Sequence, residues 1–197
     1  MAQFPSTSGA SGRWQIREQR RAVRGDNWTT LNSFESIATS VSTYGVAFTS
    51  IPTQFKHLQL RVLGRDSSAS VNQEIAIRLN GDSGSNYKNH WINGNGSAAT
   101  SSSSTRSYIH CAVITSAFHS ASIEGCAIID ILDWQSTNKV KTVRSLGGYD
   151  ANGSGQIELS SAMWIGSAST AITQIEVFVG SGVAVANNHF ALYGIRG

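Results

Sequence analysis

The feature that most constrains this chain is a two-residue alternation of apolar and polar side chains, broken at short intervals by turn-forming pairs. In 55–64, Leu58, Leu60 and Val62 alternate with Gln59 and Arg61. In 73–80, Ile75, Ile77 and Leu79 alternate with Ala76 and Arg78. A period of two places one set of side chains on each face of an extended strand. The same signature predicts strands over 40–48, 108–115, 121–134, 139–146, 156–165, 172–179 and 189–195. Asn80-Gly81, Asn93-Gly94, Asn95-Gly96 and Asn152-Gly153 supply dipeptides that accept positive φ and close hairpins. Nine or so strands without an intervening helix predict an all-β fold: a jelly-roll-like antiparallel β-sandwich spanning 31–197.

The first thirty residues read differently. Residues 1–12 are small and polar, which predicts an extended or disordered segment. Residues 13–24 are the one helix candidate, with Arg13, Arg17, Arg20, Arg21 and Arg24 forming a basic stripe. Twelve residues with few apolar partners make a marginal helix, so residues 1–30 are expected to be an attachment arm that orders against another surface. Charge sharpens the contrast. The chain has 15 Lys and Arg against 12 Asp and Glu. Five of those arginines, against Glu18 and Asp26, lie within residues 13–28, and the remaining basic and acidic residues cancel. Arginine with Trp14 and Trp28 suits a protein interface, because these side chains bury large area in fixed geometry. Nucleic-acid binding fits less well, since the neutral body offers no basic face to extend the contact.

Between 80 and 108 the alternation lapses, and a long loop containing the serine-rich run 97–105 is expected. There Asn86, Tyr87, His90 and Trp91 combine amides with aromatic faces, the makings of a glycan contact; the competing expectation is that Tyr87 and Trp91 plug the end of the sandwich. Asp82-Ser83-Gly84 with Asn80 and Asn86 lacks the twelfth-position ligand of a helix–loop–helix calcium site. No two of the five histidines fall at a metal-binding spacing, and neither cysteine has a CxxC partner, so no metal is expected. Cys111 and Cys126 are expected to be small buried hydrophobes in a reducing compartment, with a disulfide the alternative if their strands are neighbours. No nucleophile elbow occurs. Asp130 and Asp133 are separated by an odd interval within one predicted strand, which puts them on opposite faces and excludes a glycosidase pair. Glu124, Glu158 and Glu176 alternate with apolar neighbours as solvent-facing residues would. No catalytic residues and no cofactor are expected. No apolar run approaches the roughly 18 residues of a membrane span, so no membrane contact is expected either.

Three segments carry a family resemblance. Ser11-Gly12-Arg13-Trp14-Gln15-Ile16-Arg17-Glu18-Gln19 with Arg24-Gly25-Asp26-Asn27-Trp28 resembles the opening of tailed-bacteriophage structural proteins. Phe55-Lys56-His57-Leu58-Gln59-Leu60-Arg61 and the stretch from Arg78 to Tyr87 are similar to a second feature of that group. The ending Phe190-Ala191-Leu192-Tyr193-Gly194-Ile195-Arg196-Gly197 is similar to a third. The resemblance implies a jelly-roll virion protein of the capsid decoration (cement) or tail-fibre type, assembled in the bacterial cytoplasm. It implies the major capsid protein or another virion protein as partner, and a homo-oligomer, with a trimer favoured. The alternative it leaves open is a tail-associated receptor-binding module that recognises host surface glycan.

Overall fold

A computed structural model describes residues 34–42, 45–166, 170–179 and 188–196, the first of these segments by its backbone alone. The arm residues Arg13, Trp14, Arg17, Arg20, Arg21, Arg24 and Trp28, and the helix expected over 13–24, lie outside the described residues.

Twelve strands are present among them: β1 (Phe34–Ser42), β2 (Gly45–Phe48), β3 (His57–Gly64), β4 (Asn72–Leu79), β5 (Tyr87–Gly94), β6 (Ala99–Arg106), β7 (Ile109–Thr115), β8 (Gly125–Ile131), β9 (Lys141–Asp150), β10 (Gly155–Trp164), β11 (Ile175–Val179) and β12 (Asn188–Ile195). They form two antiparallel sheets in a sandwich-like arrangement. The larger runs β1-β12-β3-β8-β9-β10-β5-β6 and the smaller runs β2-β11-β4-β7. The all-β expectation holds for the described residues, and the strand count exceeds it because the supposed long loop is a hairpin and the strand expected over 40–48 is divided between β1 and β2. β5 and β6 pair in register from Tyr87↔Arg106 to Gly94↔Ala99. Serine and threonine, poor in apolar signal, hid β6; in the structure that strand is an exposed sheet edge, where polar side chains on both faces cost nothing.

Turn chemistry follows the sequence at two sites. Asn80 and Gly81 take φ of 55° and 68°, and Asn152 and Gly153 take 55° and 103°. Both are consecutive positive-φ pairs, the conformation that Asn-Gly tolerates best. Asn93-Gly94, by contrast, lies inside β5.

The apolar core sits between the sheets. Leu58, Leu60, Ile75, Ile77, Leu79, Ile114, Ile129, Ile131, Ile175, Val177 and Leu192 are all at 0% exposure. Each such aliphatic side chain contributes about 1.5–3 kcal/mol relative to an exposed one. β7 is buried at all seven positions, because it is the edge of the small sheet and lies across the middle of the larger one.

Candidate functional site

Two features stand out from this frame, one beneath β7 and one on the opposite side of the large sheet. The first begins with a register shift. Ile75 pairs with Ala112 but Ala76 pairs with His110, leaving Cys111 as the bulged residue. The bulged strand presents His110 to β10 of the opposite sheet. There His110 Nε2 meets Glu158 Oε1 at 2.5 Å, and Nδ1 meets Glu74 Oε2 at 2.7 Å. Glu74 also accepts from Arg106 Nη1 at 2.7 Å and from the Tyr108 hydroxyl. Trp91 packs on the imidazole with ring centroids 4.9 Å apart, and the Arg106 guanidinium lies over Trp91.

Only an imidazolium can donate from both nitrogens at once. Burial by itself would lower the His110 pKa, but the hydrogen bonds and charges of Glu158 and Glu74 outweigh it and hold it at about 9. Burial likewise tends to raise Glu74, and its bonds to His110 and Tyr108 and the nearby cations bring the net shift below the ordinary value. His110 and Arg106 balance Glu74 and Glu158, so the buried set is closed in charge. Its second layer is equally occupied. Asn89, fully buried, accepts from the His110 amide and donates to the Tyr108 carbonyl, while Ser160 Oγ donates to the His110 carbonyl. Glu158 is 1% exposed, which corrects the expectation that it faces solvent. With both ring nitrogens donating, His110 has no lone pair for base catalysis or metal ligation. Among the described residues no group of three His, Cys, Asp or Glu is placed to hold a metal ion. The network is a clamp between the sheets.

The second feature is the outer face of the large sheet. Registers across its strands align Arg61, Ile128, Leu146, Leu159, Ile92 and Ser101 in one row perpendicular to the chain direction. The next row aligns Leu63, Cys126, Gly148, Ile157, Gly94 and Ala99. Ile128, Leu146, Leu159, Ile92 and Ile157 are between 43% and 62% exposed. A hollow of about 720 Å³ lies over the second row, floored by Gly148, walled by Ile128, Leu146 and Ile157, and rimmed by Glu124 and Asp150. Gly148, at φ 152°, has no room for a side chain: a Cβ there would stand 2.0 Å from the Gln156 carbonyl oxygen. Cys126 is exposed on this face, a correction to its expected burial, while Cys111 is buried, and both are free thiols.

Of the four residues expected to contact glycan, His90 and Trp91 line one hollow of about 530 Å³ with Ile92 and Leu159, and Asn86 and Tyr87 lie apart from it. Tyr87 is fully buried; its hydroxyl donates to the Asp82 carbonyl at 2.9 Å and accepts from the Leu79 amide at 3.1 Å. Burial pushes that phenol up to about 12. Trp91 faces inward onto His110, His90 is exposed on the outer face, and Asn86 is held by its amide against Asp82. Asp82 is itself spent on Trp164 Nε1 at 2.6 Å and on the Gly84 amide. The 80–87 segment is therefore a self-satisfied turn that seats Tyr87 beside Trp164. The sequence signal that was missed is the matched set of inward polar residues on adjacent strands, Ser145, Glu158, Ser160 and Asn89, of which Glu158 lies between two outward apolar residues, Ile157 and Leu159. Neither protein-family models, nor curated proteins, nor solved structures yield a match to this chain.

Proposed function

We propose that this chain is a non-enzymatic structural protein of a tailed-bacteriophage particle, a capsid decoration protein that binds and stabilises the head shell. The observation that carries the reading is the outer face of the large sheet. It presents five exposed aliphatic side chains in two adjoining rows, a contiguous apolar patch of the kind that is often a contact site. The polar cluster around His110, by contrast, is internally spent. The strand orders support the jelly-roll assignment: β1-β12-β3-β8 and β2-β11-β4-β7 follow from a chain that passes alternately between two four-stranded sheets. The hairpins β5–β6 and β9–β10 then widen one sheet to eight strands. The three resembling segments support the virion context.

In this reading residues 1–30 tether the domain to the major capsid protein through their arginines and tryptophans, and many copies stabilise the shell by binding only its assembled form. The test is made on purified particles. Particles assembled with the full chain carry hundreds of copies on a stained gel, and deletion of residues 1–28 removes the chain from the particle while leaving it folded. A handful of copies, or attachment unchanged by the deletion, overturns the reading.

A further inference from the structure

We infer that the outer face of the large sheet pairs with the same face of a second copy of this chain, about a two-fold axis running across the strands at the level of Gly147. This rests on the structural-protein reading above and names one partner of that surface.

The argument is one of self-complementarity. Outward positions on β9 are Thr142, Arg144, Leu146, Gly148 and Asp150, and the two apolar rows pass through Leu146 and Gly148. A two-fold axis lying between those rows sets Leu146 of one copy over Gly148 of the other, where the hollow has its floor. The same operation sets Ile128 over Cys126, Ile92 over Gly94 and Leu159 over Ile157. On β8, β9 and β5 a bulky side chain thus meets a small one, and on β10 two exposed aliphatic side chains meet. One step further out, Arg144 meets Asp150 of the second copy, and symmetry makes this contact twice. Both side chains are exposed. Within one chain they are six residues apart on a single strand, roughly 20 Å, too far to pair with each other. An interface that is isologous requires this reciprocity of residue i with j and j with i. Face-to-face sheets pack about 10 Å apart with strands nearly aligned, which the operation preserves. The operator yields a pair; the trimer implied by the resemblance needs a second interface.

The experiment is sedimentation velocity on the full-length chain at micromolar concentration. The wild type runs at twice the chain mass. Leu146→Glu, which places a carboxylate on the glycine floor, raises the dissociation constant by about 100-fold or more, and Leu159→Lys does the same should the first variant fold poorly. Arg144→Asp and Asp150→Arg each weaken the pair by about fivefold, the effect of two rim ion pairs turned repulsive. Combined in one chain, they restore it to within about threefold, because only in the pair do these positions face each other. Phe118→Ser, exposed but off this face, leaves the pair intact. A wild type that sediments as a single chain, a pair indifferent to both Leu146→Glu and Leu159→Lys, a double variant no better than either single one, or dissociation by Phe118→Ser overturns the inference. A chain that pairs but is absent from particles defeats the virion reading alone. A chain found on particles yet monomeric in solution defeats the pairing alone.

Discussion

On β3 and β12 the inward positions are Leu58, Leu60, Val62, Phe190 and Leu192, and the outward ones include Gln59, Arg61, His189 and Tyr193. Over part of β9, β10 and β5 the assignment is reversed, while Val143, Ala162, Trp164 and Tyr87 on the same strands still face the core. There Ser145, Glu158, Ser160 and Asn89 point in, and Leu146, Ile157, Leu159 and Ile92 point out. Both regions belong to one hydrogen-bonded sheet, and both obey the two-residue period. What differs is the layer beneath. β3 and β12 face the aliphatic core, whereas β9 and β10 face β7, whose His110 ring is met by the Glu158 carboxylate and whose His110 and Cys111 carbonyls accept from the Ser160 and Ser145 hydroxyls. A polar inner face is therefore stabilised by a closed ion set, and the apolar residues that alternate with it lie exposed on the outer face.

Breaking the clamp should have the largest effect. Glu158→Ala leaves His110 buried with one of its two carboxylates gone, which costs about 4 kcal/mol in urea unfolding at pH 7. A loss below about 1 kcal/mol would mean that the inner face of β10 is wetter than its burial indicates. In the conventional half, Leu60→Ala removes a side chain with 0% exposure and opens a cavity in the aliphatic core. That change costs about 3 kcal/mol. Comparable costs from chemically opposite residues would establish that each half is held by its own kind of inward group.

The reversal explains what could be read from the chain and what could not. Periodicity identifies which residues share a face, and it placed most strands of the sandwich from 55 onward. It cannot say which of the two faces turns inward. Ile157 and Leu159 offered the apolar set expected of a core, so Glu158 was assigned to solvent; the deciding fact, a histidine on β7 opposite it, is forty-eight residues away in sequence. β6 was missed for a related reason, since an edge strand free on both faces needs no apolar alternation. Asn80-Gly81 and Asn152-Gly153 were legible because their constraint is local to the dipeptide.

The clamp can also be loosened by pH. His110 titrates at about 9 in the folded chain against 6.5 for the ordinary side chain. A folded value above the unfolded one means that the stabilisation is complete below pH 6.5 and is lost as pH rises towards 9. Unfolding free energies from urea titrations between pH 6 and 9 at fixed protein concentration should fall by an amount on the order of 2 kcal/mol. Glu158→Gln, which removes the first of the two raising carboxylates, should flatten that decline. A wild-type midpoint that stays level or rises over this range would show that His110 is neutral when folded, and the closed ion set would be wrong.

The smallest effect is the one that separates the faces most directly. Leu159 sits on the same sheet as Leu60 and differs in pointing outward, where it is 51% exposed. Leu159→Ala, measured at protein concentrations low enough to keep single chains apart, should change unfolding free energy by less than about 0.5 kcal/mol, the ordinary range for a surface site. Raising the concentration should enlarge the difference, because a residue covered only by a second copy contributes to stability only when that copy is bound. Leu60→Ala should show no such dependence beyond that of the wild type. Were Leu159→Ala to cost as much as Leu60→Ala at every dilution, the outer row would be packed within its own chain. The inverted half of the sheet would then have no need of a partner.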